Sequence, residues 1–185
     1  MFLDEMGVLL GEMRTRARSL KGQRAYDLKP FYRGKRITVI GAMTHDCCLG
    51  IKTLDKGMNG EDFKQFLKEE LAPKLWSGAV LVMDNLPAHK VKGVTQIIED
   101  AGARVVYLSP YSPEFNPIEH LWCSAFAQIV VLRRLERFAF ALKIFLRQLS
   151  PKTQTAVEQL LNIALMLSNP EHFRNWFAHC CYCTS

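Results

Sequence analysis

A strand–helix–strand pattern in the middle of the chain constrains the fold most. Residues 79–83 (AVLVM) are continuously apolar, as expected for a strand that is buried on both faces. Residues 91–101 carry apolar side chains at helical spacing and end before Gly102, a typical C-cap. Residues 104–108 form a second, β-branched run. The sequence therefore predicts two neighbouring strands joined by a helical crossover.

The segments on the N-terminal side of this unit complete one sheet. Residues 36–44 and 47–54 predict a hairpin, and residues 60–74 predict a helix. The apolar opening, residues 1–3, is the end of a further strand. Antiparallel strands followed by a crossover predict a mixed α/β sheet covered by helices. With 185 residues, 49% of them apolar, the chain suits one compact domain, residues 1–185.

Basic side chains are concentrated between residues 14 and 36, where nine of them accompany a single acid, Asp27. Such a block suits a DNA phosphate backbone, and a solvated surface loop explains it equally well. The candidate DNA contacts in this block are Arg14, Arg16, Arg18, Lys21, Arg24, Arg33, Lys35 and Arg36.

Two carboxylates stand where chemistry is expected. Asp84 follows the run 79–83, and the carboxyl ends of strands in α/β sheets are where sites form. Glu119 lies three residues after Asn116, the expected N-cap of a helix. Taken singly, Asp84 is explained as a turn cap and Glu119 as part of a capping box. The 34 residues between them hold a helix, a strand and a proline-rich turn, a path that returns to its start.

Asp4 is the candidate third carboxylate, on a neighbouring strand. Three converging acids repel one another unless divalent cations neutralise them, and Mg²⁺ or Mn²⁺ prefers such oxygen ligands. Glu114 and Glu5 are the alternatives. Glu114 stands in a loop with only 29 residues between it and Asp84, and Glu5 faces the opposite side of its strand from Asp4.

Two runs carry a specific resemblance, MDNLPAHK at residues 83–90 and LSPYSPEFNPIEHLW at residues 108–122. They resemble the signature segments of the mariner-like superfamily of DDE transposases, and most closely its bacterial insertion-sequence branch. Asp84, His89 and Glu119 fit the family pattern with its 34-residue separation, and the opening LDE matches its first aspartate segment. MNGEDFKQFL and NWFAHCCY, further along the chain, also resemble this branch.

The resemblance implies an RNase H-like fold, with a mixed five-stranded sheet and helices on both faces. It implies that Asp4, Asp84 and Glu119 are catalytic and hold two Mg²⁺ or Mn²⁺ ions. The implied activity is cleavage of transposon ends by water, followed by attack of the 3′-hydroxyl on target DNA. Asn85 is a DNA contact or shapes the turn. His89 is a DNA contact that orients a phosphate, or it orients a metal-bound water near Asp84, or it is a surface residue at a helix start. A homodimer is the implied synaptic assembly.

Two stretches depart from the family pattern. No helix-turn-helix module precedes Met1, so the strand of Asp4 is expected to be clipped to about three residues. The DNA-binding part is then expected in a separate subunit, or the chain is a truncated copy. Residues 123–140 look like an insertion. These departures favour an alternative function, an inactive transposase remnant that binds DNA without catalysis.

The remaining features narrow the setting of the protein. His179, Cys180, Cys181 and Cys183 suggest zinc, but structural zinc sites need two spaced ligand pairs and only one cluster exists. The apolar stretch at residues 121–132 is 12 residues long, too short to span a bilayer. Adjacent cysteines without a secretory leader are typical of a reducing compartment. We therefore expect a bacterial cytoplasmic protein, associated with the nucleoid through DNA, with no membrane partner.

Overall fold

A mixed sheet of five strands forms the centre of the protein. The computed structural model describes residues 1–10, 19–24, 26, 34–110, 112–124 and 152–182. The strands are β1 (Phe2–Leu9), β2 (Arg36–Met43), β3 (Cys48–Leu54), β4 (Val80–Met83) and β5 (Arg104–Tyr107). Their order in the sheet is β3-β2-β1-β4-β5; β1 and β3 each pair antiparallel with β2, whereas β1–β4 and β4–β5 pair parallel. This confirms the expected mixed five-stranded sheet.

Helices follow the predicted positions with shifted ends. The expected helix at residues 60–74 is one continuous helical segment of three types. An α-helix, Gly60–Phe66, is followed by a π-helical turn, Leu67–Leu71, and a 3-10 turn, Ala72–Lys74. The expected helix at residues 91–101 begins three residues later, because a 3-10 turn and Gly93, with φ of 97°, precede it. The α-helices are α1 (Gly60–Phe66), α2 (Val94–Asp100), α3 (Ile118–Ser124), α4 (Gln154–Leu167) and α5 (Pro170–His179).

Side-chain alternation divides the sheet into two covered faces, which confirms helices on both sides. The α1 face carries Leu3, Ile40, Ala42, Leu81 and Met83, which pack against α1, its π-helical turn and α2. The α3 face carries Phe2, Met6, Val8, Ile37, Val39 and Met43, which pack against α3, α4 and α5. The C-terminal helix α5 packs on this face, with the ring of Phe177 5.2 Å from that of Phe2.

The strand that bears Asp4 is longer than expected. The prediction of a strand clipped to about three residues is wrong, because β1 runs for eight residues, Phe2–Leu9, and pairs with β2 along its whole length. Asp4 lies near the start of this strand with five strand residues after it. Strand alternation then turns Asp4 towards the α3 face and Glu5 towards the α1 face.

Some predictions lie outside the described part of the chain. The interpretation of residues 123–140 as an insertion is one, since the description stops at residue 124 and resumes at residue 152. Within the described ranges, no helix combines the length and the apolar character needed to cross a bilayer.

Helix α3 rests directly on β2 because Gly41 has no side chain. A Cβ atom built at Gly41 would lie 2.5 Å from Cη2 of Trp122, closer than real carbon atoms approach. Gly41 is the partner of Asp4 across the β1–β2 ladder. The indole of Trp122 therefore covers both residues, and its contact with the sheet sets the height of α3.

We expect Gly41→Ala to destabilise the protein by about 1–3 kcal/mol, the usual cost of inserting a methyl group into a packed core. For a chain of this size the melting temperature should fall by about 2–4 °C per kcal/mol. The matched control is Gly57→Ala, since no atom lies within 4 Å of a Cβ there. Equal melting temperatures for the two variants in a calorimetric scan would contradict this account of α3.

Candidate active site

Parallel pairing of β1 with β4 brings two aspartates together. Leu3 lies beside Met83 in this ladder, so the next residues, Asp4 and Asp84, are neighbours on the same face. Helix α3, which packs mainly on β1 and β2, places Glu119 above that face. All three carboxylates line one cleft of about 550 Å³. The structure thus brings together the three acids that the sequence indicated.

Asp4 is the most deeply placed of the three, with 6% of its surface exposed. Burial raises the pKa of this carboxyl well above its ordinary value, and the charge of Glu119 is the next cause. The charges of Glu5 and Asp84 also raise the pKa of Asp4. Trp122 donates a hydrogen bond from Nε1 to Asp4 Oδ2 at 3.3 Å. The cleft is therefore a place of crowded negative charge in which a cation is favoured.

Asp84 has a defined orientation. Its Oδ1 atom accepts hydrogen bonds from His89 Nδ1 at 2.7 Å and from the backbone N–H of Leu86 at 3.2 Å. The bond from Leu86 confirms that Asp84 caps this turn. Both of these bonds end on the same oxygen, and the aspartate still lines the cleft with 38% of its side chain exposed. Capping and a site role are compatible.

Glu119 is not needed for the capping box that its spacing suggested. Asn116 Oδ1 accepts from the N–H of Ile118 at 3.4 Å, as expected of an N-cap residue. The N–H of Asn116, which a capping box would pair with Glu119, donates instead to the carbonyl of Pro113 at 3.0 Å. Asn116 is buried, and the turn before α3 is held by these bonds. Glu119 lines the cleft.

The prediction that His89 contacts DNA is wrong, and so is the alternative of a surface residue. The side chain is fully buried, under the ring of Phe63 at 4.4 Å between centroids. Its Nδ1 faces Asp84 and its Nε2 lies 3.1 Å from Glu5 Oε2. Burial lowers the pKa of His89, but hydrogen bonds to Asp84 and Glu5 outweigh it and raise the pKa to about 9. Both ring nitrogens then donate to carboxylates.

Asn85 and Lys90 also line the cleft. Asn85 donates from Nδ2 to the carbonyl of Leu108 at 3.4 Å, while its buried Oδ1 has no hydrogen-bond partner among the described residues. Lys90, which the sequence analysis did not single out, is the cation among the described lining residues. Its Nζ lies 5.5 Å above the ring of Tyr107. The signal that would have found Lys90 was its place at the end of the run MDNLPAHK.

The basic block does not reach the cleft in the described part of the chain. Lys21 and Arg24 are exposed, and Lys35 pairs with Asp55 at 2.7 Å. Arg36 lies beside Leu9, at the opposite end of β1 from Asp4, roughly 17 Å away at the usual rise of a strand. The remaining candidates, Arg14, Arg16, Arg18 and Arg33, lie outside the described residues.

A second hollow, of about 370 Å³, lies on the other side of Glu119. It is lined by Glu114, so the rival carboxylate does not face the cleft of Asp4 and Asp84. The rings of His120 and His179 meet there at right angles, 4.8 Å apart. Cys180 and Cys181 also line it, whereas Cys183 lies outside the described residues. No three histidine, cysteine or acidic side chains in the described ranges are grouped closely enough to hold a metal as they stand.

Fold and cleft together define an RNase H-like domain whose carboxylates lie at the inner strands β1 and β4 and on the helix above them. The model of the family described as DDE superfamily endonuclease matches residues 1–138. The chain therefore belongs to that family, and the resemblance to DDE transposases is confirmed. The assignment to a bacterial insertion-sequence branch stays a prediction. Comparison with curated proteins finds none with significant sequence similarity.

Several solved structures of the Mos1 transposase share the fold. The paired-end complex with the left transposon end has a TM-score of 0.68 at 18% identity, covering 96% of this chain and 50% of that chain. The mariner Mos1 paired-end complex with Mg has a TM-score of 0.68 at 16% identity, with 96% and 50% covered. The Mos1 catalytic domain with Raltegravir and Mn gives 0.61 at 14%, with 96% and 74% covered. The chain thus spans about half the length of the Mos1 chains in the paired-end complexes.

The crowding around Asp4 has a consequence for stability that depends on pH. Folding raises the pKa of Asp4, so the folded protein holds this proton more tightly than the unfolded chain. The associated stability is fully present below the ordinary aspartate pKa and is lost as the pH rises through the raised one. In EDTA at pH 8 we therefore expect Asp4→Asn to melt above the wild type, by about 2–4 °C for each kcal/mol of repulsion removed.

The gap between the two melting temperatures should shrink as the pH is lowered towards 4, where Asp4 is protonated in the wild type as well. Glu114→Gln is the control, because Glu114 lines the second hollow and should change the melting temperature little. A variant Asp4→Asn that melts at or below the wild type at pH 8 would contradict the charge crowding.

Proposed function

We propose that this chain is the catalytic domain of a DNA transposase, with Asp4, Asp84 and Glu119 as the ligands of two divalent metal ions. The observation that carries the proposal is the meeting of these three carboxylates, from β1, the end of β4 and α3, in one cleft. The shift in the pKa of Asp4 supports it, since buried carboxylates crowded in this way favour a bound cation. An arrangement that serves stability alone would not collect like charges.

The donor set fits Mg²⁺ or Mn²⁺. All three groups are carboxylates, and hard divalent cations prefer oxygen ligands and leave positions for water and phosphate. Among the similar structures, Mos1 paired-end complexes contain Mg and Mn. When bound, such ions would neutralise charge on the phosphate and activate the attacking oxygen.

The protein's own residues orient the reacting groups. Asp84 is held by His89 and Leu86, and Asp4 is held by Trp122, so two carboxylates keep fixed positions while DNA binds. In the first step a water oxygen attacks the phosphodiester at the transposon end, and the 3′ oxygen leaves as a hydroxyl. In the second step that 3′-hydroxyl attacks a phosphodiester of the target, whose own 3′ oxygen leaves. Both are in-line displacements at phosphorus, so one cleft serves both.

DNA is the proposed partner, as transposon end and as target. The similar Mos1 structures include a complex with a transposon end and a strand transfer complex. Lys90 is proposed as a phosphate contact, because its cation stands in a cleft whose other charged lining residues are acids. A homodimer is proposed for the synaptic complex, where two DNA ends are held together, and a separate DNA-binding subunit is proposed for recognition of those ends.

The second candidate is an inactive remnant that binds DNA without cutting it. One observation favours it: within the described residues the carboxylates share a cleft but are not grouped into a ready ligand set. A nicking assay separates the two functions. With supercoiled plasmid and Mn²⁺, we expect the wild type to nick DNA and Asp84→Asn to be slower by more than about 100-fold. Loss of an outer partner of a metal site already costs about 10–100-fold.

Glu114→Gln is the matched control for this assay and should nick as the wild type does, since Glu114 faces the second hollow. Equal nicking by the wild type and Asp84→Asn would overturn the triad. Absence of nicking by the wild type, with DNA still bound, would establish the remnant.

The role of Lys90 is tested by the salt dependence of DNA binding. In the Asp84→Asn background, which avoids cleavage, Lys90→Met should weaken binding to a short duplex irrespective of its sequence. The slope of log K against log salt should fall by about one, because one phosphate contact is lost. Lys92→Met is the control, since Lys92 is exposed nearby and does not line the cleft. Identical slopes for all three proteins would contradict a phosphate contact at Lys90.

A further inference from the structure

A buried hydrogen-bonded chain runs behind the cleft, on the α1 face of the sheet. Glu5 Oε2 lies 3.1 Å from His89 Nε2, and His89 Nδ1 lies 2.7 Å from Asp84 Oδ1. The histidine is fully buried, and the Glu5 side chain is 14% exposed. Glu5 is the neighbour of Asp4 in β1, yet its side chain points to the opposite face. Glu5, the sequence neighbour of Asp4, is therefore linked to Asp84 through His89, on the side of the sheet opposite the cleft.

We propose that Glu5 and His89 are positioning residues that hold the Asp84 carboxylate in the orientation required to bind a metal ion. The inference rests on the proposed function, because it assigns Asp84 as a metal ligand. Neither Glu5 nor His89 touches the metal or the DNA. Their effect on the carboxylate passes through its Oδ1 atom, while His89 Nδ1 also lies 3.3 Å from the backbone carbonyl oxygen of Asp84.

The hydrogen bonds at Asp84 explain how such positioning works. His89 Nδ1 and the N–H of Leu86 both donate to Oδ1, which fixes the rotation of the carboxylate about its Cβ–Cγ bond. Among the described residues, no hydrogen bond to Oδ2 accompanies them. The oxygen that is left is the one available to a cation. Metal-binding side chains are commonly oriented by a second layer of hydrogen bonds in this way.

The histidine is itself held from several sides. The ring of Phe63 lies against it at 4.4 Å, and the carbonyl of His89 accepts a hydrogen bond from the hydroxyl of Tyr107 at 3.1 Å. Its own N–H donates to the carbonyl of Leu86 at 3.0 Å. These contacts hold the place of the ring, and the acceptor that Glu5 offers to Nε2–H fixes the rotation of the ring, so that Nδ1 stays aimed at Asp84.

Stability alone is a poor explanation for this chain. A fully buried histidine and the mostly buried carboxylate of Glu5 cost desolvation free energy, and apolar residues of similar volume often replace such groups without loss. The hydrogen-bonded chain of Glu5 and His89 is explained by the orientation that it gives to the Asp84 carboxylate, because an apolar residue would leave that orientation undefined.

The test measures binding of Mn²⁺ to the 185-residue chain without DNA, by isothermal titration calorimetry below the melting temperature. We expect Glu5→Ala to weaken Mn²⁺ binding by about 10–100-fold. Glu5→Gln keeps a hydrogen-bond acceptor for Nε2–H and loses only the charge, so it should retain most of the affinity. The control Glu114→Gln should bind as the wild type does.

The comparison of alanine with glutamine separates positioning from a simple field effect. Removal of the negative charge near Asp4 lowers cation affinity in both variants alike, whereas loss of the hydrogen bond occurs only in Glu5→Ala. Binding by Glu5→Ala within twofold of the wild type, or equal losses in Glu5→Ala and Glu5→Gln, would overturn the proposal.

A double-mutant cycle with His89→Asn adds a second measurement. Asparagine keeps a donor close to the place of Nδ1 but cannot reach Glu5. In this background Glu5→Ala should lower Mn²⁺ affinity much less than it does in the wild type, because the chain is already cut. Undiminished loss in the double variant would overturn the proposed path through His89.

The same titration on Asp84→Asn separates the proposed function from the proposed positioning role of Glu5 and His89. If Asp84→Asn binds Mn²⁺ as the wild type does, Asp84 is not a ligand, and the proposed function falls together with the positioning role. If Asp84→Asn loses binding while Glu5→Ala retains it, the proposed function stands and the positioning role alone is overturned.

Discussion

The short parallel ladder between β1 and β4 is the contact on which the site depends. Only Phe2 and Leu3 pair with β4, and the chain start adds a hydrogen bond from the N–H of Val82 to the carbonyl of Met1 at 2.9 Å. This register puts Asp4 level with Asp84. A slip of one residue would turn Asp84 to the opposite face. The long antiparallel ladder between β1 and β2 fixes the position of β1 along its whole length, and this in turn fixes the register of β1 against β4.

Charge crowding and helix packing act on the same atoms. Asp4 lies between the ladder and α3, where Trp122 reaches it through the gap left by Gly41. The same helix carries Glu119, so the packing that holds Trp122 on the sheet also sets the distance between carboxylates. The repulsion between these carboxylates lowers the free energy of unfolding, and a bound cation would relieve it. The proposed chemistry and the cost in stability have one cause.

Much of this arrangement could be predicted from the sequence, and the limits have physical reasons. Period-two and helical patterns indicated the strands and helices, and the 34-residue separation indicated which acids meet. The length of β1 was underestimated because the apolar opening was taken as a strand end, whereas Met6 and Val8 continue the alternation on the α3 face. β4 was expected to be buried on both faces, but Val80 and Val82 are only partly buried, since α3 packs mainly on β1 and β2.

The residues behind the site were harder to find. Glu5 was weighed only as a rival of Asp4, because alternation says that the two face opposite sides but not what Glu5 meets there. His89 was taken for a DNA contact, since its place after Asp84 in a family motif does not reveal that its ring turns under Phe63. Their partnership joins residues 84 positions apart in sequence, and no local pattern encodes such a contact.

Anomalous diffraction from crystals soaked in MnCl₂ is the most direct test of the central claim. Data collected near the manganese absorption edge locate the ion without reference to activity. We expect anomalous peaks in the cleft between Asp4, Asp84 and Glu119, with Oδ2 of Asp84 as the contacting oxygen. A peak only in the second hollow beside Glu114 and His179, or none at saturating Mn²⁺, would contradict it.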